Sequence, residues 1–354
     1  MSSIHPRPAT LAAIGLSLAL VLTGCSSPGA STVSIAPDAT SSVAPAVTPS
    51  AVASAAPSVA PSASAAAVVY PLTLTDDEGT AVVIPAAPKK VVSLTPANTE
   101  ILYAIGAGDR VVATDSGSDY PAEAEPLPDV ATYDATDVEK IVGLDADLVV
   151  AGGLGFTNAA AIAQLRDLGV PVLVLYAPSI DGAYHDIDLI GQATGDVAAA
   201  TDLTAGMRSE ISAIGEATKA APARRVFYDV GYDDGTGQIF APAKDSFLAD
   251  MVTLAGGDAI TTADASSYEI PLEDLIKADP ETIVLGINAF YMPTPAEVKA
   301  RTGWDVLTAV KDDDIRPVED TEITRPGPRL PSGLRKLAAV IQPDVVLPSA
   351  SPGG

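Results

Sequence analysis

The chain has 354 residues, a formal net charge of −25, one cysteine and two histidines. So acidic a chain repels nucleic-acid phosphates, and no basic stripe offsets the charge, so we expect no nucleic-acid partner. A single thiol excludes an internal disulfide and a cysteine-cluster zinc site. Of the two imidazoles, only His185 lies beyond the first 25 residues. We predict neither a metal site nor a resident cofactor, and any Ser-His-Asp triad would depend on His185 alone.

Residues 1–25 have the pattern of a secretory signal. Residues 11–22 form an apolar stretch that is too short to span a bilayer. The Leu-Thr-Gly-Cys run at residues 22–25 resembles the lipobox of bacterial lipoproteins, in which the cysteine is diacylated and becomes the new N-terminus. We therefore predict lipidation at Cys25, an extracytoplasmic location at the cell membrane, and the lipid anchor as the only membrane contact.

Residues 26–68 consist mostly of Ala, Ser and Pro and contain neither a basic nor an aromatic residue. Such a segment cannot bury enough apolar surface to offset the entropy lost on ordering. We predict a disordered stalk here. Nearly all of the negative charge then belongs to the part that follows.

Residues 69–180 alternate short apolar runs with amphipathic patterns, which predicts an α/β lobe with parallel strands. Asn98 or Thr99 is the predicted N-cap of the first helix. The predicted strands span 91–95, 110–114, 148–151 and 172–176, and the predicted helices span 98–105, 138–144 and 159–168.

Residues 181–222 are predicted to connect this lobe to a second one. A helix over about 181–193 precedes a long amphipathic helix over 196–219, in which apolar residues recur every three or four positions. Residues 223–354 form the predicted C-terminal α/β lobe. Its predicted strands span 226–230, 282–286 and 315–318, and its predicted helices span 247–254, 272–278 and 333–341.

The two lobes carry a sequence repeat. Residues 139–150 align with residues 273–284 without a gap, and acidic, apolar and turn positions match. The repeat predicts two related Rossmann-like lobes with a cleft between them. It also places Glu139 and Glu273 at equivalent positions.

Four motifs in chain order resemble those of a known family, the substrate-binding proteins of bacterial ABC importers for cobalamin and ferric siderophores. The motifs are Ser93–Glu100, Asp119–Pro121, Asp137–Ile141 and Arg325–Leu330. The resemblance implies the class III periplasmic-binding-protein fold, in which one long helix joins two α/β lobes. It also implies a monomeric receptor, not an enzyme, that captures a small metal chelate. The receptor delivers it to a permease dimer with its ATPase, docking through Glu139 and Glu273.

Ligands of parallel α/β lobes bind beyond the carboxyl ends of the strands. Aromatic side chains on those loops suit a flat macrocycle or a catecholate chelate, and Arg325 can pair with an anionic group. In the family, an aromatic residue that stacks on the ligand precedes the docking glutamate by six positions, as Tyr133 does here. The predicted ligand-binding residues are Thr95, Asn98, Tyr120, Tyr133, Phe156, Tyr232, Tyr268, Phe290 and Arg325.

The ligand remains open between a corrinoid, which we favour, a ferric siderophore, and haem or another chelate. Gly117 occupies a position where the cobalamin branch tends to have an aromatic residue, and the loop at 152–158 lacks the tryptophan of that branch. Two other functional classes have less support from the sequence. A dinucleotide oxidoreductase fails because the Gly-x-Gly-x-x-Gly pattern that starts at Gly153 ends in Asn158. A lipoprotein hydrolase would need a partner for His185.

Overall fold

The computed structural model of the chain describes residues 68–153, 155–288 and 291–350. The predicted signal, the lipidation site Cys25 and the stalk up to residue 67 lie outside the described residues, and so does Phe290. A short antiparallel hairpin opens the described part, formed by β1 (Leu72–Thr75) and β2 (Ala81–Ile84). This hairpin was not among the predicted elements.

The N-terminal lobe is built on five parallel strands in the order β5-β4-β3-β6-β7. The strands are β3 (Val91–Ser93), β4 (Val111–Asp115), β5 (Asp129–Ala131), β6 (Leu148–Gly152) and β7 (Val172–Leu175). The helices between them are α1 (Pro96–Ala104), α2 (Val138–Gly143) and α3 (Ala159–Asp167), with a 3-10 turn at Gly108–Arg110.

The start of α1 differs from the prediction. The N-cap is Thr95, whose hydroxyl accepts a hydrogen bond from the backbone N–H of Asn98, so neither Asn98 nor Thr99 fills that role. The reason is Pro96, which fits the first helical position because it has no N–H to satisfy there. Asn98 instead lies inside the helix and is buried.

Two helices lie between the lobes, and the second is the predicted long helix. They are α4 (Ile180–Thr194) and α5 (Val197–Thr218). Gly195 separates them with φ +88°, a left-handed backbone conformation that glycine adopts without a steric penalty.

The C-terminal lobe has a four-stranded parallel sheet in the order β11-β8-β12-β13 and a separate hairpin of β9 and β10. The strands are β8 (Arg224–Asp229), β9 (Gly231–Asp233), β10 (Gln238–Phe240), β11 (Gly257–Ala259), β12 (Thr282–Ile287) and β13 (Ile315–Glu319). The helices are α6 (Phe247–Leu254), α7 (Leu272–Ala278), α8 (Pro295–Ala300), α9 (Thr308–Lys311), α10 (Thr321–Thr324) and α11 (Leu330–Ile341), with a 3-10 turn at Trp304–Val306. Helix α11 begins three residues before the predicted start, because Pro331 is tolerated in its first turn.

One hydrophobic core continues from lobe to lobe. Helix α5 packs against α4 on one side and against α6 and α11 on the other. Buried side chains from these four helices and from α1 belong to a single cluster, among them Ile101, Ile187, Met207, Met251 and Leu334. Each lobe has a second, smaller core on the opposite face of its sheet. The architecture of two α/β lobes joined by a long helix is therefore confirmed.

The sequence repeat is also a structural repeat. In the N-terminal lobe, the Asp147 carboxylate accepts hydrogen bonds from the backbone N–H groups that lead into β3. In the C-terminal lobe, the Glu281 carboxylate accepts the equivalent bond from the N–H of Arg225 in β8, at 2.9 Å. Asp145 and Asp279, at matching positions, both have positive φ. Helices α2 and α7 thus occupy equivalent places in the two lobes.

Candidate functional site

The loops beyond the carboxyl ends of the strands in the two lobes face each other. Arg325, on the loop before α11, reaches the loop after β4 and donates a hydrogen bond to Asp119 at 2.6 Å. At the edge strand β7, burial and then the nearby Tyr268 phenol of the C-terminal lobe raise the pKa of Tyr176. The loops that meet here lie where parallel α/β sheets bind ligands, and we call this region between the lobes the cleft.

The loop that follows β3 is held tightly against the loop that follows β6. The side-chain amide of Asn98 donates to the carbonyl oxygen of Ala151 at 3.3 Å. A Cβ atom built on Gly152 would lie 2.6 Å from Thr95 Cγ2 and 2.8 Å from Phe156 Cβ, so only glycine permits this close approach. The structure thus brings the predicted residues Thr95, Asn98 and Phe156 together, and the polar groups of Thr95 and Asn98 bond within the lobe.

A group of ion pairs crosses the cleft, and we call it the interlobe ion-pair cluster: Glu100, Asp119, Glu322, Arg325 and Arg329. The Glu100 side chain on α1 is only 1% exposed. Its carboxylate accepts hydrogen bonds from Arg329 at 2.6 and 2.9 Å and from Arg325 at 3.2 Å. A buried carboxylate is costly unless it is paired in this way. The cluster therefore fixes one lobe against the other.

The arginines of this cluster remain charged. Burial by itself would lower the pKa of Arg325, but its bond to Asp119 and its contact with Glu100 raise that pKa overall. The bond to Glu100 is the largest influence on Arg329, whose pKa is also raised. Arg325 was predicted to contact the ligand, but its guanidinium is paired with carboxylates of the opposite lobe.

Four of the aromatic residues predicted to bind the ligand are exposed. Each of the following is at least 47% exposed: Tyr120, Tyr133, Phe156 and Tyr268. Tyr133 is the most exposed of them at 85% and follows the edge strand β5. The Arg329 guanidinium lies 4.2 Å from the centroid of the Tyr120 ring, so a cation–π contact orients that ring.

Tyr232 is the remaining predicted aromatic residue that the structure describes, and its ring packs mainly within its own lobe. Its ring is half-buried in the hairpin of β9 and β10, and Arg301 stacks on it at 4.2 Å from the centroid. Arg301 is itself buried and donates to Asp229 at 2.8 Å and to the Tyr291 hydroxyl at 2.7 Å. Burial, followed by the Asp229 charge, raises the pKa of Tyr291. This network fixes two loops of the C-terminal wall.

The two predicted docking residues stand apart from the cleft. Glu139 lies in the first turn of α2 and Glu273 in the first turn of α7, and both are exposed. Within the described ranges, neither carboxylate forms an ion pair or a hydrogen bond, whereas most cleft carboxylates do. The structural repeat places them equivalently on the two lobes.

No role was predicted for Glu100, Asp119 or Arg301. Glu100 and Asp119 were part of the family motifs, but their partners are more than 200 positions away in the chain. Arg301 offers no sequence signal beyond being a rare cation in an acidic lobe.

His185, the one imidazole of the described part, lies on α4 beside the first hairpin. Its Nε2 atom is 3.5 Å from Asp77 Oδ1. In the part of the chain that the structure describes, no three His, Cys, Asp or Glu side chains are grouped so that they could hold a metal ion. None of the helices in that part has the length and apolar character needed to span a membrane.

Comparison with known proteins agrees with this arrangement. The profile of the family described as Periplasmic binding protein matches residues 91–320. The chain is 34% identical over 283 residues to an uncharacterised ABC transporter substrate-binding lipoprotein of Bacillus subtilis strain 168, and the match covers 78% of this chain and 87% of that protein. It is 30% identical over 283 residues to a cobalamin-binding protein of Halobacterium salinarum, covering 77% of this chain and 74% of that protein.

A solved structure with the same fold is that of a possible iron-binding, periplasmic solute-binding protein from Staphylococcus epidermidis. The two structures superpose with a TM-score of 0.63 at 26% sequence identity. The superposition covers 73% of this chain and 100% of that one.

Proposed function

Because this chain belongs to the periplasmic binding protein family and resembles substrate-binding proteins of ABC transporters, we propose that it is a lipid-anchored receptor for a corrinoid. The corrinoid binds between the two lobes. The receptor then delivers it to an importer made of a permease dimer and its ATPase.

The observation that carries the proposal is the combination of exposed aromatic rings with arginines that are already paired. Tyr120, Phe156 and Tyr268 offer flat apolar surface to a macrocycle. Arg325 and Arg329 lie at the same cleft, but Glu100 and Asp119 neutralise them. A ligand that is rich in uncharged amides, as a corrinoid is, needs no free cation.

Anionic chelates fit the same cleft less well. Haem has two propionates, and ferric catecholates carry several negative charges. If Arg325 or Arg329 paired with either ligand, it would give up its ion pair with Glu100, a buried carboxylate that is costly to leave without partners. The net charge of −25 adds a general repulsion.

Calorimetric titration of the purified protein tests the proposal. The ligands are cyanocobalamin, dicyanocobinamide, haemin, a ferric catecholate and a ferric hydroxamate. We expect a corrinoid to bind with a Kd below about 10 µM, equivalent to about −7 kcal/mol, and the anionic chelates to bind at least tenfold more weakly. Tighter binding of haemin or the ferric catecholate than of both corrinoids would refute the choice of ligand.

A ferric chelate or haem is the second candidate. It is favoured by the exposed phenols of Tyr133 and Tyr268, since tyrosinate oxygens ligate ferric iron, including that of some haems. The same titration separates the two candidates. A visible charge-transfer band on addition of haemin, lost in Tyr133→Phe or Tyr268→Phe, would support the iron candidate.

The attachment to the membrane and to the importer is also proposed. The lipobox at residues 22–25 supports an anchor on Cys25, with residues 26–68 as the stalk, and the Bacillus subtilis relative is itself named as a lipoprotein. Glu139 and Glu273 provide two equivalent carboxylates that pair with no side chain among the described residues. A protein with pseudo-twofold related ends matches a permease dimer that presents the same basic group twice.

A further inference from the structure

The two helices that carry the proposed docking glutamates, α2 and α7, each also expose an aliphatic side chain. Val142 on α2 and Ile276 on α7 are both 38% exposed. Each lies three positions after the docking glutamate of its helix, and residues with this spacing share one face of a helix, with Cβ atoms about 5–6 Å apart. The buried face of each helix is formed by other residues, Ile141 and Leu275, both 0% exposed.

Isolated exposed aliphatic residues are common on protein surfaces. This pair is distinctive because the repeat relates its two members. Both are β-branched, both are exposed to the same extent, and both adjoin a carboxylate that has no partner among the described residues. A β-branched residue on an exposed helical face is less favourable than alanine by a few tenths of a kcal/mol, so helix stability does not explain either one.

We propose that Val142 and Ile276 form, with Glu139 and Glu273, a two-point docking surface for the importer's permease dimer. This inference depends on the proposed function, since it concerns the importer that receives the ligand. Each subunit of a twofold permease would present one basic group and one apolar hollow, the complement of a carboxylate beside an aliphatic side chain. The carboxylates orient the encounter, and the aliphatic side chains, dehydrated on contact, slow dissociation.

The test uses Val142→Ser, Ile276→Ser and the double variant in the full-length, lipid-anchored protein. The partner is the cognate permease–ATPase complex in proteoliposomes, with cyanocobalamin as the ligand. Val83→Ser is the matched control for the valine change: Val83 is 55% exposed on β2, and that hairpin contacts β7, at the opposite edge of the sheet from α2 and β5. Binding of cyanocobalamin, binding to the importer, and ATPase stimulation are measured separately.

We expect the double variant to bind cyanocobalamin as the wild type does and to bind the importer at least about tenfold more weakly. Each single variant should lose a similar part of this effect, whereas Val83→Ser should lose none. If the double variant binds the importer within twofold of the wild type, the inference is wrong while the proposed function stands. If the wild type itself neither binds a corrinoid nor stimulates the ATPase, the proposed function fails first. Val142→Ala with Ile276→Ala, which favours the helix, should weaken docking in the same way and so excludes unfolding as the cause.

Discussion

A buried carboxyl at the base of the N-terminal lobe should make the stability of this protein depend on pH. Asp186 on α4 is only 4% exposed, and its Oδ1 atom has no hydrogen-bond partner in the part of the chain that the structure describes. Burial, followed by the nearby Asp77 carboxylate, raises the pKa of Asp186 to about 9. The perturbation that tests this is Asp186→Asn, which keeps the shape of the side chain and a donor toward Asp77 but cannot ionise.

The magnitude follows from the difference between the folded and unfolded states. In the unfolded chain, the Asp186 carboxyl ionises near its ordinary pKa of 3.8. Between about pH 4 and pH 9 the folded protein therefore holds one proton more than the unfolded chain. The free energy of unfolding falls as the pH rises through this window, by up to about 1.4 kcal/mol per pH unit. From pH 6 to pH 8 the wild type should lose up to about 2.7 kcal/mol from this group, and Asp186→Asn should lose none of it.

Urea denaturation at pH 6, 7 and 8 measures the effect. His185, whose imidazole lies 3.5 Å from Asp77, is present in both proteins, so its direct contribution largely cancels in their difference. Asp202→Asn, which removes an exposed carboxylate on α5, is the matched control and should follow the wild type. The reasoning is refuted if the stability curves of the wild type and Asp186→Asn stay parallel across the three pH values.

Three further predictions concern the interlobe contact, docking and anchoring. Glu100→Gln should lower the free energy of unfolding by about 3 kcal/mol, because it leaves two guanidiniums without their shared carboxylate; a loss below 1 kcal/mol by urea denaturation would contradict this. Glu139→Ala with Glu273→Ala should bind cyanocobalamin normally but fail to stimulate the importer's ATPase, and unchanged stimulation in proteoliposomes would remove both residues from the docking surface. Cys25→Ser should move the protein from the membrane pellet to the soluble fraction of lysed cells, and retention in the pellet would exclude the lipid as the only anchor.

The parts of the structure that depend on local pattern followed from the sequence. The gap-free alignment of residues 139–150 with 273–284 predicted equivalent helices. The matching hydrogen bonds that the Asp147 and Glu281 carboxylates accept from the backbone at β3 and β8 confirm that equivalence. Periodicity likewise predicted α5, because apolar residues that recur every three or four positions, without a proline, are typical of an amphipathic helix.

Contacts that depend on how the lobes meet did not follow from the sequence. Glu100 pairs with Arg325 and Arg329 only because α5 sets the distance between the lobes, and no local pattern encodes that distance. Arg301 was also missed, although its partners lie in its own lobe: Asp229 ends β8, 72 positions earlier in the chain, and Tyr291 lies after β12. The predicted N-cap of α1 was wrong for a local reason: Pro96 occupies the first helical position, so the N-cap is Thr95.

The core that continues from lobe to lobe has a consequence for how the molecule folds. The buried apolar side chains on the helical face of each lobe belong to the same core as those of α5 and of the other lobe's helices. A fragment holding one lobe alone would therefore expose that face to water and aggregate. Heating should melt the whole folded part in one calorimetric transition, and cleavage of a cleft loop by a protease should leave the two halves associated. The repeat gave the chain two similar lobes, but the shared core makes them a single cooperative unit.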